Sequence, residues 1–271
     1  MTVSPAFILD TFRTSLRYVR YRSIAKSRHG VHSPFVFQFI ENVLANNEQY
    51  YAFREIEEAR RRLKYDNRKI KVTDFGAGST GGMGPERAVH QILTHSAMPA
   101  RWGRLLFRMS NYFAPSTILE LGTSLGMGTS YLAKGNPGAR VITLEGCKQT
   151  AAIARENLHA LNLDNVVEVV TGEFDAGLPI ALKNLRTLDM VFIDGNHRYE
   201  PTLAYFKACL PYAHEKTVFL FHDIHWSAEM EKAWEEVCKY PGVTVSIDLF
   251  HLGVVFMKRD QAQQHFVLKY A

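Results

Sequence analysis

The sequence predicts an α/β fold built on a doubly wound, mostly parallel sheet, and three observations carry that expectation. A short apolar run, residues 118–121, includes the acid Glu120, a turn rich in glycine follows (Gly122, Gly126, Gly128), and a helical pattern sets in at Thr129. A second apolar run, residues 140–145, ends in another acid, Glu145. Beyond it strand-like and helix-like stretches alternate, the pattern of parallel strands with helices crossing back over them. Such strands read as near-continuous apolar runs because helices cover both faces of the sheet.

The chain has 271 residues, enough for one large domain or one domain with a smaller appendage. Hydrophobic content of 46% and charged content of 22% point to a globular protein rather than a disordered or fibrous one. Cys147, Cys209 and Cys238 lie far apart and form no CxxC, which favours a reducing compartment and argues against a cysteine-held zinc. No apolar run approaches the ~20 residues of a membrane span, and the start lacks the basic-then-apolar order of a signal peptide. The expectation is a cytoplasmic protein.

Residues 4–28 read as an amphipathic helix. Phe7, Ile8, Phe12, Leu16 and Val19 recur at helical spacing, with Arg13, Arg17, Arg20, Arg22, Lys26 and Arg28 between and after them. A solvated surface, or a helix docked on the core or on a second subunit, is the preferred reading of such a face; nucleic acid, an anionic membrane or an acidic substrate is the alternative. Gly30 is expected to end this helix. Ser33 caps the next, with Pro34 in its first turn and an apolar body over residues 35–40. His29 and His32 have no acid or cysteine beside them, so capping and packing is preferred to metal binding. Residues 50–65 read as a third, highly charged helix. The glycines of Gly76–Gly84 imitate a ligand loop, but no acid-terminated strand follows; residues 86–95 read as a helix instead. A flexible loop near the mouth of the site is the preferred reading. Residues 99–113 read as the helix leading into the glycine-turn strand, so the chain divides into a helical extension, 1–98, and a principal domain, 99–271.

Past Glu145, residues 149–161 are helical, and residues 166–170 form a strand ending in Thr171-Gly172-Glu173-Phe174. Strand 188–194, helix 201–210, strand 217–221 and helix 228–240 follow. Residues 243–249 and 253–258 read as a closing hairpin.

Glycines let the backbone turn where a side chain would block a ligand, and the new helix offers free N–H groups. An acid roughly 20–25 residues further on, here Glu145, is placed to bind ribose hydroxyls. The order Glu120-x-Gly122-x-x-x-Gly126-x-Gly128 departs from the dinucleotide fingerprint, and an acid before the turn suits an ammonium and repels a pyrophosphate. A purely structural role for these glycines is the alternative. Over about residues 101–258 the chain resembles the class I S-adenosylmethionine-dependent methyltransferases, and within them the catechol and caffeoyl-CoA type O-methyltransferases and their bacterial DGxH relatives. The resemblance implies a Rossmann-like seven-stranded sheet. It implies S-adenosylmethionine held by Glu120, Gly122, Thr123, Ser124, Gly126, Gly128, Thr129, Glu145, Gly146, Gly172, Glu173, Phe174 and Asp194. Glu173 and Phe174 are then expected at the adenine, and residues 102–106 over the methionine end.

Two later strand ends carry the second cluster, Asp194-Gly195-Asn196-His197 and His222-Asp223-Ile224-His225. Ligands gather beyond the carboxyl ends of such strands, although both aspartates are also plausible helix caps. In the catechol-type enzymes the position of Asp194 binds metal, a catalytic lysine stands where this chain has His197, and an Asp-Asn pair stands where it has Asp223-Ile224. Isoleucine cannot coordinate a cation. His222 or His225 is the candidate replacement, giving a divalent site of Asp194, Asp223 and His222 that suits Mn²⁺, Fe²⁺ or Zn²⁺ better than Mg²⁺. His197 is the expected general base, with Asp194 beside it. The expected function is O-methylation of a small-molecule acceptor. The alternatives are methylation of RNA or another macromolecule, and a non-catalytic S-adenosylmethionine-binding module with a decayed site. The aromatic-rich N-terminal arm is a candidate homodimer contact.

Overall fold

The structure is a computed structural model that describes residues 5–73, 75–76, 84–259 and 261–270. Residues 77–83 of the glycine-rich stretch, and the side chains of Phe7 and Ile8, lie outside the described residues. The chain opens with α1 (Pro5–Ile24), α2 (Pro34–Phe39) and α3 (Tyr51–Lys64), then β1 (Lys69–Lys71), β2 (Glu86–Ala88), α4 (Val89–His95) and α5 (Ala100–Phe113). The alternating part follows as β3 (Thr117–Leu121), α6 (Met127–Gly135), β4 (Arg140–Glu145), α7 (Lys148–Ala160), β5 (Val167–Thr171), α8 (Phe174–Leu185), β6 (Leu188–Ile193), α9 (Tyr199–Cys209) and β7 (Ala213–His222). It finishes with α10 (Ala228–Lys239), β8 (Val245–Asp248), β9 (Leu252–Phe256) and β10 (Gln264–Val267).

The main sheet runs in the order β10-β8-β9-β7-β6-β3-β4-β5. β5, β4, β3, β6 and β7 are parallel neighbours, β9 is antiparallel to both β7 and β8, and β10 lies parallel to β8. The seven expected strands are therefore present, and β10 adds an eighth at one edge. The chain leaves β3 toward β4 and β5, then returns to build outward from β6 on the other side. That reversal between β3 and β6 is a topological switch point, where open α/β sheets hold their ligands.

Both faces of the sheet are buried, which is why its strands lack polar alternation. Ile118, Met190, Phe192, Val218 and Leu220 face one apolar cluster, while Leu119, Val191, Ile193, Phe219 and Phe221 face the other. The first cluster continues into the N-terminal helices through Val36, Phe39, Phe53 and Ile56. The second is covered by α8, α9 and α10 through Leu178, Leu182, Leu203, Phe206, Ala233 and Trp234.

Besides β10, three elements depart from the sequence reading. The first helix stops at Ile24, and Gly30 closes a separate short turn, Arg28–Gly30. Residues 86–88 form a strand paired with Lys69–Lys71, and the helix expected from 86 begins at Val89; pairing with a distant segment outweighs local preference there. α8 was not foreseen, because Gly177 and Pro179 weaken its helical signature. Leu178, Ala181, Leu182 and Leu185 recur at helical spacing and are buried, so packing overrides propensity.

Candidate active site

A cavity of about 840 Å³ opens at the carboxyl ends of the strands around the switch point. Gly122, the first residue past β3, has φ of +109°, and a Cβ there would sit 2.2 Å from the Asp194 carbonyl oxygen. Only glycine fits that close approach of two strand ends. Gly126, at φ +79°, precedes the first turn of α6.

Glu145 faces the cavity from the end of β4. Its carboxylate accepts from the Ser124 backbone N–H (2.8 Å) and the Cys147 backbone N–H (2.9 Å). These two bonds fix an acid beside the glycine turn. Gly146 leaves room for the Phe75 ring, which an added Cβ would meet at 2.6 Å. Glu173 and Phe174 also line the cavity, and the Phe174 ring packs over Gly195 and edge-on to Tyr205.

Glu120 lies beneath the turn rather than in the cavity wall. It is 1% exposed, and its Oε2 accepts from the hydroxyls of Thr129 and Thr143, the latter at 2.6 Å. Thr143 in turn shares a hydrogen bond with Thr123. Burial pushes the Glu120 carboxyl up to about 8 against the two threonine bonds, with Asp194 and Glu145 adding repulsion. Near neutral pH this acid is therefore mostly uncharged. Thr123, Gly126, Gly128 and Thr129 are likewise buried behind the turn, and Gly172 (φ +141°) follows β5, while Gly122, Ser124, Glu145, Gly146, Glu173, Phe174 and Asp194 line the space.

Across from Glu145 stands a cluster of acids and imidazoles. His222 Nδ1 is 2.8 Å from Asp194 Oδ1 and 3.5 Å from Asp223 Oδ2. His197 Nε2 is 3.6 Å from Asp194 Oδ1 and 3.9 Å from Asp223 Oδ2. His251 Nδ1 is 3.6 Å from Asp223 Oδ1. His197 Nε2 and His222 Nδ1 are nonetheless buried without an aligned hydrogen bond. Burial opposes charge at His222, yet Asp194 and Asp223 raise its pKa to about 9. Against the same burial, His222 and His197 hold Asp194 below the usual carboxylate range, and His222 and His251 do so most for Asp223. Asn196 (φ +70°), His197 (φ +46°), Asp223 (φ +55°) and Ser124 (φ +49°) all adopt left-handed backbone at the cavity. Such strain, typically 1–3 kcal/mol per residue, gathers at functional sites.

Of the two candidate replacement histidines, only His222 reaches the cavity. His225 turns away, 2.8 Å from both Glu231 and Asp248, and Ile224 is buried in the second apolar cluster. His251 and Trp226 complete the wall, and neither carried a sequence signal. Trp102, from the segment expected over the methionine end, lines the cavity and packs edge-on to His251.

Residues 119–224 match the family described as a methyltransferase domain. The catechol O-methyltransferase of Mycobacterium tuberculosis is 33% identical over 138 residues, covering 49% of this chain and 59% of that protein. The catechol O-methyltransferase of Niastella koreensis is 30% identical over 144 residues, covering 51% and 64%. The chain thus spans less than two thirds of the length of the curated relatives it matches. The O-methyltransferase of Bacillus cereus, solved in complex with SAH, superposes with a TM-score of 0.54 at 21% identity, covering 82% of this chain and 97% of that one. That likeness is one of fold, and it covers more of the chain than the family match does.

Proposed function

We propose that this chain transfers a methyl group from S-adenosylmethionine to a hydroxyl of a small-molecule acceptor. One observation carries the reading: the pinned carboxylate of Glu145 and the cluster around Asp194, His197, His222 and Asp223 face a single cavity at the switch point. In this reading Glu145, Gly146, Glu173 and Phe174 hold the nucleoside. Gly122, Ser124 and the ionised Asp194 hold the amino-acid end, with Glu120, Thr123, Gly126, Gly128, Thr129 and Gly172 supporting the turns. The helical extension, residues 1–98, shapes the acceptor side, where Ile92 and Met98 line the cavity. The names of the two catechol enzymes support a phenolic hydroxyl as the acceptor.

S-adenosylmethionine, when bound, supplies a methyl group already activated on a sulfonium. The protein's part is to hold the acceptor oxygen in line and to take its proton. His197 Nε2 takes that proton, and the left-handed backbone at Asn196 and His197 aims the ring into the cavity. Asp194 and Asp223 stabilise the imidazolium so formed.

The two buried imidazole nitrogens without aligned partners, set among two ionised acids, also fit a divalent cation of the borderline kind. Asp194, Asp223 and His222 would hold it, and it would polarise the acceptor hydroxyl. A second reading has its own support, since the ligand-capable atoms of Asp194, His197 and His222 lie within 4.8 Å of one another. In that arrangement His197 is a ligand and not the base.

Calorimetric titration with S-adenosylmethionine, with mass detection of methylated catechol, tests the proposal. The expected result is binding that Glu145→Ala weakens, and product formation by the unaltered chain. Absence of binding overturns the reading, and binding without product from any hydroxyl acceptor favours the non-catalytic module. Titration of Mn²⁺ into His197→Ala and Asp223→Ala separates the two ligand sets, because each variant removes a ligand of one set alone.

A further inference from the structure

The N-terminal helix leaves an apolar stripe uncovered. Among the described residues eleven large apolar side chains are exposed, and five of them, Phe12, Leu16, Tyr18, Val19 and Ile24, belong to α1. At 100° per residue, Phe12, Leu16 and Val19 fall within about 60° of one another on the helix surface. Arg20 follows on one flank of this stripe and Arg22 on the other.

The opposite face is fixed to the body of the protein. Tyr21 and Ala25 are buried, the Tyr21 hydroxyl donates to the Leu268 carbonyl, and Tyr18 and Tyr21 pack on Phe250. Arg17 Nε donates to Glu231 Oε2 at 3.0 Å. This docking holds the apolar stripe outward.

The charge pattern selects the occupant. Between Asp10 and Glu41 the sequence has no acid, while Arg13, Arg17, Arg20, Arg22, Lys26 and Arg28 are all basic. A second copy paired through the stripe by a two-fold axis would bring arginine flanks together with no acid to oppose them. A nucleic acid would meet the arginines but gain nothing from Leu16 and Val19, which offer neither a stacking face nor a hydrogen bond. An anionic bilayer satisfies both features, with apolar side chains sunk into the headgroup boundary and flanking arginines on lipid phosphates. We propose that α1 is a membrane-surface helix that seats this protein on anionic lipid. The seat adjoins the cavity, because Phe250, on which α1 docks, is followed by His251 of the cavity wall.

Flotation of the full chain with vesicles of phosphatidylglycerol and phosphatidylcholine in equal parts, against phosphatidylcholine alone, tests the proposal. The expected result is co-flotation with the anionic vesicles that weakens as salt rises. Leu16→Glu/Val19→Glu, at two exposed positions, should abolish co-flotation while leaving the thermal midpoint in place. Arg20→Gln/Arg22→Gln should weaken partitioning roughly 30-fold. No co-flotation at low salt overturns the proposal, as does co-flotation that survives the double glutamate change. A dimer, or an RNA complex, that the same double change dissolves in the absence of lipid overturns it as well.

Discussion

Glu120→Gln isolates the consequence of burying an acid beneath the glycine turn. The folded chain holds a proton on Glu120 up to about 8, whereas the group ordinarily releases it near 4.5. A raised value makes the contribution of this group to stability complete below 4.5, and that contribution is lost as pH climbs toward 8. Each pH unit inside the window costs about 1.4 kcal/mol, so raising the pH from ~4 to ~7 removes about 3 kcal/mol on account of this one carboxyl. Glutamine keeps an oxygen for the Thr129 and Thr143 hydroxyls but has no proton to release. The variant should therefore gain about 3 kcal/mol on the unaltered chain over that pH range. Urea denaturation of both proteins at several pH values reads the difference directly. A stability difference that stays level from pH 4 to pH 8 would refute the burial argument, whatever its absolute size.

Other predictions follow from the cavity and its surroundings. Gly122→Ala places a Cβ 2.2 Å from the Asp194 carbonyl at φ +109°, and calorimetry should show a loss of about 1–3 kcal/mol or more. His197→Ala should lower turnover by roughly a hundredfold with little change in S-adenosylmethionine affinity; turnover within about threefold of the unaltered chain would mean the proton goes elsewhere. Burial opposes charge on His225, but Asp248 and Glu231 raise its pKa above the ordinary 6.5. Its stabilisation is thus complete below that value and is lost as pH rises through the folded pKa. His225→Gln should flatten this alkaline decline in the denaturation midpoint. Asp194→Ala should abolish Mn²⁺ binding under either ligand set, read by calorimetry.

The order of strand, glycine turn, helix and second acid was legible because each of its signals is local. Glu145 and the glycines needed only spacing. The position of Glu120 was misread, as an acid at the ligand, although parity held a hint: residues two apart on a strand share a face, and Ile118 belongs to the core beneath α6. An acid at that parity points under the turn, while Glu145 ends its strand and meets the cavity. His251 left no such trace. It follows β8 in sequence, and it reaches Asp223 only because β9 pairs antiparallel with β7, where the Asp223 N–H donates to the His251 carbonyl at 2.6 Å. The choice of His222 over His225 also depended on tertiary context, since Glu231 and Asp248 arrive from α10 and β8. β10 was missed for the same reason. Four residues with a modest apolar pattern become a strand when an open edge receives them.

That edge ties together segments from near the two ends of the described chain. Lys26 donates to the Val267 carbonyl at 2.8 Å, and Lys269 donates back to the Lys26 carbonyl at 3.0 Å. The Tyr21 hydroxyl adds its own bond to Leu268 a turn earlier. Cutting the final dozen residues would therefore remove these bonds and leave the opening helix held by Phe250 and Glu231. Protease sensitivity would then emerge first around residue 25, more than two hundred positions from the cut.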